Sequence, residues 1–373
     1  MSDATRDGAM QAFLAEAGWG GATLNKLPGD ASTRHYTRVA RNGRTAMLMD
    51  QPQGAETPVA AANATPEQRH ALGYNAVARL AGADTARFVA AAHYLRGRGL
   101  AAPNVLHVDN RQGFVLLEDL GDDLYTDSIA RGIPETPLYE AAIDALVALH
   151  AQEAPAALAH DKPLFAYDET AMLAETDLLT EWFLPLATGK ATSDVLRDEH
   201  RGLWRAALAA LPAHAAVFVH RDYHAQNLMW LPNRAGVARV GMIDFQDAVA
   251  GHAAYDLVSL LEDARRDVAP EMSDFMTALY VSRARAAGLP IDEGSFRAAA
   301  AILAAQRNAK IIGIFSRLWL RDRKPRYLAF LPRVWGYMAR DLAHPALAPL
   351  KAWYDRAVPG ELRTAPRVQG MSS

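Results

Sequence analysis

The chain has 373 residues, half of them hydrophobic, no cysteine, and a formal net charge of -3 from 39 Lys and Arg against 42 Asp and Glu. Such a chain can bury a sizeable core and divide into two domains, and without a basic excess it has no electrostatic footprint for nucleic acid or an anionic membrane, which leaves a small molecule as the expected partner. The missing cysteines exclude disulfides and thiolate metal sites; no apolar stretch is long enough for a bilayer and MSDATRDGAMQAFLAEAGW lacks a signal-peptide pattern, so the expectation is a cytoplasmic monomer.

In chain order, TRHYTRVARNGRTAMLMD alternates β-formers around Asn42-Gly43, a hairpin signal, so the chain is expected to start as a β-meander. Residues 51–83, rich in Pro, Ala and polar residues, have weak periodicity and read as a partly mobile insertion. TARFVAAAHYLRGRGL has helical spacing and stops at Gly99 before Pro103. NVLHVDNRQGFVLLEDLG gives two strands around Asn110–Gly113, after which the text is mainly helical, as in PLYEAAIDALVALHAQ and DETAMLAETDLLTEWFLP. A sheet-rich start before a helix-rich remainder is an α+β chain in two lobes: 1–119, 120–357, and a flexible tail over 358–373.

The chemistry concentrates in VHRDYHAQNLMWL, Val219 to Leu231, between two apolar runs that read as short strands. Asp222 precedes Asn227 by five residues, and Asp244 follows in MIDFQD after strand, turn and strand. That spacing suits phosphoryl transfer: one carboxylate, Asp222, meets the acceptor hydroxyl, while Asn227 and Asp244 supply hard oxygen ligands to Mg²⁺ among nucleotide phosphates. Each residue alone is more commonly a surface or capping group, but the full set at this spacing is rarely accidental. His220 and His224 could be zinc ligands four apart; with no third ligand in the pattern, scaffolding of the loop is the better reading.

HRDYHAQN resembles the catalytic loop of protein kinases and, through its second histidine, the HxDxHxxN of the aminoglycoside phosphotransferase and choline kinase type. The resemblance implies a bilobal protein-kinase-like α+β fold, with a β-rich N-lobe and a mainly helical C-lobe, that uses ATP and Mg²⁺. It implies phosphate binding by Gly29, Ser32, Thr33 and Arg34 in LPGDASTRHYTRV, and adenine pairing by backbone groups of Glu118 to Leu120 in VLLEDLG. Asp256 in AAYDLVSLLED falls where the family keeps an aspartate that braces the catalytic loop; an ordinary helix N-cap is an equal reading. The strand lysine and helix glutamate usual in such kinases are missing from TAMLMDQ and DTARFVAAAHYLRGRGL; Arg34, Arg38 or Lys26 are candidates to replace the cation, reliance on Mg²⁺ and backbone amides is an alternative, and a nucleotide-binding pseudokinase is a further one.

GDASTRHYTR, GFVLLEDLGD, FVHRDYHAQNLMWL, GMIDFQDAVAG and QRNAKIIGIFSRL together are similar to one bacterial branch, the anomeric kinases of N-acetylmuramate and N-acetylglucosamine in peptidoglycan recycling. The implied substrate is an amino sugar; aminoglycoside or choline kinases are the alternative. Glu175, Asp177, Glu181 and Trp182 on one predicted helix offer hydrogen bonds and an aromatic wall, with Asp177, Glu181 and Trp182 the chosen candidates, although a solvated acidic face with Trp182 in the core is an equal reading. Arg307, Lys310 or Arg317 could meet a lactyl carboxylate.

Overall fold

The computed structural model describes residues 3–29, 33–52 and 59–365. Two compact units emerge, Met1–Phe165 with His220–Ala250, and Ala166–Val219 with Gly251–Ser373. This division differs from the expected cut at residue 119, because compactness follows contacts and the 220–250 segment packs with the sheet-bearing unit.

The first unit is built on five antiparallel strands in the order β1-β2-β3-β5-β4: β1 Thr23–Lys26, β2 His35–Arg41, β3 Arg44–Asp50, β4 Val105–Asp109 and β5 Phe114–Glu118. The β2–β3 turn is the predicted Asn42-Gly43 pair, whose φ of 52° and 73° give the primed turn that matches strand twist. The chain opens with a helix, α1 Asp3–Glu16, and not with the expected strands. Its Phe13 and Leu14 cover Val39, Ala46, Leu48, Phe114 and Leu116, and Arg6 lies 3.9 Å over the Phe114 ring while bonding Asp50 and the Gln112 carbonyl.

Within 51–83, expected to be a partly mobile insertion, the described residues include α2 Pro66–Leu72 and α3 Tyr74–Ala78, and residues 53–58 lie outside the described residues. Thr65 and Gln68 close a capping box on α2, and Ala76, Val77 and Ala78 are buried. Alanine-rich packing explains the weak periodicity, since small side chains fit closely without marking an apolar face. Buried Gln51 donates to the Gly82 carbonyl at 2.7 Å, tying the end of β3 to the approach to α4, Thr85–Gly97. Asp84 caps α4 through the Ala86 and Arg87 N–H groups. Helices α5 Tyr125–Ala130 and α6 Glu135–His150 follow the sheet.

The second unit is helical: α7 Glu169–Leu178, α8 Leu184–Thr188, α9 Asp194–Ala209, α10 Ala254–Leu261, α11 Pro270–Ala286, α12 Glu293–Leu320, α13 Leu331–Asp341 and α14 Ala348–Ala357. A π-helical turn, Leu179–Phe183, joins α7 to α8. The core gathers on α12, with Ile302, Ala305, Ala309, Ile312 and Phe315 among Phe183, Trp204, Trp335, Met338 and Trp353. Beside it, Glu175 is fully buried and pairs with Lys310 at 3.1 Å, with Tyr167 and Gln306 also bonded to its carboxylate. Part of the expected flexible tail is packed: Val358 is buried and Arg363 bonds its carbonyl and Asp355. Residues 366–373 lie outside the described residues.

Candidate active site

The segment after His220 is irregular up to a 3-10 turn, Ala225–Asn227, and then enters the strand Leu228–Trp230, which pairs antiparallel with Val240–Met242. This short hairpin folds the motif back on itself. Leu228 lies opposite Met242, and the Ile243 N–H donates to the Asn227 carbonyl at 3.0 Å, so Asp244 emerges beside Asn227 despite seventeen residues of separation. Asn227 Nδ2 donates to the Asp222 carbonyl at 3.0 Å, which turns the amide oxygen to the opposite side. The structure thus brings Asp222, Asn227 and Asp244 onto one loop and hairpin.

The loop is held from beneath. Tyr223 is buried and donates its hydroxyl to the Ala142 carbonyl on α6 at 2.8 Å, and His220 sits between the Tyr223 and Phe245 rings. Both histidines are buried in this scaffold, His220 completely. Two non-glycine residues have left-handed backbone here, Arg221 with φ 75° and Asp244 with φ 62°. Such strain costs about 1–3 kcal/mol per residue and persists only where surroundings over-determine it.

Of the three cations considered for the missing lysine, Arg34 is the one at Asp244: Nη1 lies 3.2 Å from Oδ1, and its side chain is only 8% exposed. Burial alone would lower its pKa, but Tyr36, Asp244 and Asp247 more than offset that and hold the guanidinium above its usual value. Arg38 pairs instead with Asp119 at 2.8 Å and Asp122 at 2.7 Å and also donates to the Gly121 carbonyl, so it pins the segment that follows β5. Lys26 is exposed on β1. Gly29 is exposed and Thr33 half-buried next to Arg34, whereas Ser32 lies outside the described residues.

At the end of β5 the Glu118 N–H is committed to the Asn104 carbonyl at 2.8 Å. Its side chain accepts from Arg234 at 2.6 Å and from the Asn104 N–H, so the carboxylate has a structural task that the sequence did not reveal. Leu120 is half-buried, and its Cδ1 would meet a Cβ placed on Gly241 at 3.3 Å, which sets it against the Val240–Met242 strand.

The candidate substrate residues belong to the helical unit. Asp177 lies in the last turn of α7 and pairs with Arg201 at 2.7 Å; burial pushes its carboxyl up to about 6, against the pull of Arg201 and with a further push from nearby Glu181. Glu181 is exposed and Trp182 half-buried, both on the π-helical turn. Such turns are frequent at functional sites. Arg307 is buried and donates to the Glu262 carbonyl at 3.2 Å, while Lys310 is taken up by Glu175. Asp256 is fully buried in the first turn of α10. Sequence reasoning did not single out Asp247, the last residue of MIDFQD, or Arg87, an arginine of the alanine-rich helix α4.

Residues 23–291 match the model of the Phosphotransferase enzyme family. The chain belongs to that family. Its relatives include an N-acetylmuramate/N-acetylglucosamine kinase of Caulobacter vibrioides, 47% identical over 96% of this chain and 98% of the relative, and one of Pseudomonas aeruginosa, 33% identical over 91% and 90%. Among solved structures, this family member is similar to ADP-bound aminoglycoside phosphotransferase APH(2'')-Ib, with TM-score 0.55, 16% identity, 92% of this chain and 100% of that one covered. It is also similar to a microcompartment-associated aminopropanol kinase, with TM-score 0.56, 15% identity and coverage of 94% and 100%. The α+β fold is therefore the protein-kinase-like one, as its motif suggested. The Asn227 amide oxygen and the Asp244 carboxylate are hard donors of the kind that suits Mg²⁺, which takes few protein oxygens and fills its shell with water and phosphate. Asp244, with 45% of its side chain exposed, is reachable by such a shell.

Proposed function

We propose that the protein transfers the γ-phosphoryl group of ATP to the anomeric hydroxyl of N-acetylmuramate and N-acetylglucosamine. The observation that carries this reading is the 47% identity with the Caulobacter vibrioides kinase across almost the whole of both chains. The geometry supports it, because the loop carrying Asp222 is bonded to Asn227 and the hairpin that follows returns Asp244 beside Asn227.

Asp222 orients the acceptor hydroxyl and takes its proton. Asn227 and Asp244 would hold Mg²⁺, which when bound with ATP neutralises charge on the phosphates. Arg34 adds a fixed positive charge at the same carboxylate, in place of a strand lysine. The Glu118 carbonyl and the Leu120 N–H would face the adenine, since the Glu118 N–H is already donated to Asn104. Asp177, Glu181 and Trp182 are proposed to receive the sugar, and Arg307 its acidic substituent.

The test is ADP release with Mg-ATP and a panel of N-acetylmuramate, N-acetylglucosamine, glucosamine, glucose, an aminoglycoside and choline, with Asp222→Ala as the blank. Turnover confined to the two N-acetyl sugars, with an acid-labile product, is expected. Turnover on the aminoglycoside or choline alone would keep the chemistry and overturn the substrate; nucleotide binding without turnover would favour a pseudokinase.

A further inference from the structure

Asp244 holds a strained backbone conformation, and each of the three residues after it is anchored. Phe245 stacks on Phe88 of α4 with ring centroids 4.9 Å apart and planes 28° apart. Gln246 is buried and donates Nε2 to Asp244 Oδ1 at 2.8 Å. Asp247 Oδ1 accepts the Ala81 N–H at 2.6 Å, and its carbonyl accepts Arg221 Nη1 from the catalytic loop at 3.4 Å. Asp247 therefore touches both the approach to α4 and the loop that carries Asp222.

Arg87, one residue before Phe88, is 4% exposed and lies 4.5 Å over the Phe165 ring. Its Nε and Nη2 have no hydrogen-bond partner among the described residues. Burying a guanidinium with unmade bonds costs several kcal/mol, and an apolar residue of similar size would avoid that cost. Burial lowers its pKa and the like charge of Arg221 adds to that, while Asp247 and Asp84 pull the other way, so carboxylates near it, and no direct bond among the described residues, offset part of the cost of its charge.

We propose that Asp247 and Arg87 are positioning residues: their charges couple α4 to the Asp244–Asp247 segment and hold the metal-binding aspartate in its strained conformation. The polarity is reversed relative to a strand lysine facing a helix glutamate, since here the helix carries the cation. This inference rests on the metal assignment of Asp244 and not on the identity of the sugar.

The test compares Arg87→Met, Arg87→Lys, Asp247→Asn and the Arg87→Met/Asp247→Asn double variant, with Asp244→Ala as reference. It uses calorimetric binding of ATP with and without Mg²⁺, which needs no acceptor, together with steady-state turnover and melting temperature. Asp247→Asn keeps an acceptor for Ala81 but removes the charge. Arg87→Met and Asp247→Asn are each expected to weaken Mg²⁺-dependent ATP binding about tenfold at little change in melting temperature, the double variant no further, with Arg87→Lys recovering most of the loss. Wild-type Mg²⁺-dependent binding in both single variants overturns the proposal, as do multiplicative losses in the double or equal losses in Arg87→Met and Arg87→Lys. If Arg87→Met does not fold, Asp247→Asn decides by the same binding criterion. Undiminished binding in Asp244→Ala would instead overturn the metal assignment itself.

Discussion

Arg34 and Asp244, 210 residues apart in the chain, form an ion pair at 3.2 Å. A guanidinium buried on the strand side thereby meets a carboxylate that is still half open to solvent. In the phosphotransfer reading this is the cation that the strand lacks. Arg34→Met is expected to raise KM for Mg-ATP roughly tenfold, with Arg34→Lys intermediate because it keeps the charge but loses the planar fork. Initial rates at varied Mg-ATP decide this; unchanged constants in both variants would remove Arg34 from the nucleotide site.

Asp222 and Asp244 should fail differently. Asp222→Asn is expected to lower kcat by roughly 10²- to 10⁴-fold, the share of a general base, while Mg-ATP binding persists. Asp244→Ala should instead abolish Mg²⁺-dependent ATP binding. Calorimetry beside turnover separates the two, and a kcat for Asp222→Asn within threefold of wild type would exclude it as the base.

Gly313 reverses an ordinary rule. Glycine to alanine inside a helix normally stabilises by about 1 kcal/mol, yet a Cβ at Gly313 of α12 would stand 2.5 Å from the Leu178 carbonyl carbon and Cβ. Backbone cannot move aside cheaply, so Gly313→Ala should destabilise by about 1–3 kcal/mol and disturb the π-helical turn next to it. Chemical denaturation of both proteins measures this, and a more stable variant would show that α7 shifts freely.

His200 makes stability depend on acid. It is fully buried; Trp204 Nε1 donates to its Nε2 at 2.9 Å and the Tyr354 hydroxyl lies 3.1 Å from the same nitrogen, so the ring is neutral with its proton on Nδ1. Burial pushes its pKa down to about 3. The unfolded chain binds that proton below its ordinary value of 6.5 and the folded one does not until about 3, so this contribution is complete above 6.5 and lost as pH falls toward 3. His200→Phe should show a shallower stability decline between pH 6.5 and 4. Parallel denaturation curves for the two proteins at each pH would contradict the assignment.

Asp177 is expected to give the acceptor affinity a pH dependence. Its carboxyl titrates at about 6 because it is buried, so a sugar hydroxyl bonded to the carboxylate loses that acceptor as pH falls through 6. KM for the sugar should rise there in the wild type and stay flat in Asp177→Asn. A pH profile identical in both proteins would take Asp177 out of the sugar site.

Much of the site was legible because it is contiguous. Asp222 and Asn227 are held by bonds that span only a few residues, and a single hairpin delivers Asp244, so the spacing of HRDYHAQN and MIDFQD already encodes their approach. The Asn42-Gly43 turn was likewise decided locally, by the left-handed backbone that those two residues tolerate. What depended on packing stayed hidden. Three basic residues on neighbouring stretches were equal candidates for the missing lysine until Asp119 and Asp122 took Arg38 and Asp244 took Arg34. Arg307 could be read only as a candidate for a substrate carboxylate; that it is buried follows from α12 being enclosed by other helices. Arg87 gave no signal, since its meaning lies in a ring from residue 165 and a carboxylate from residue 247. Sequence by itself determined the reaction class, through local spacing; tertiary structure decided which charges meet, because pairing between distant residues is fixed by how sheet and helices pack and by the cost of leaving a buried charge alone.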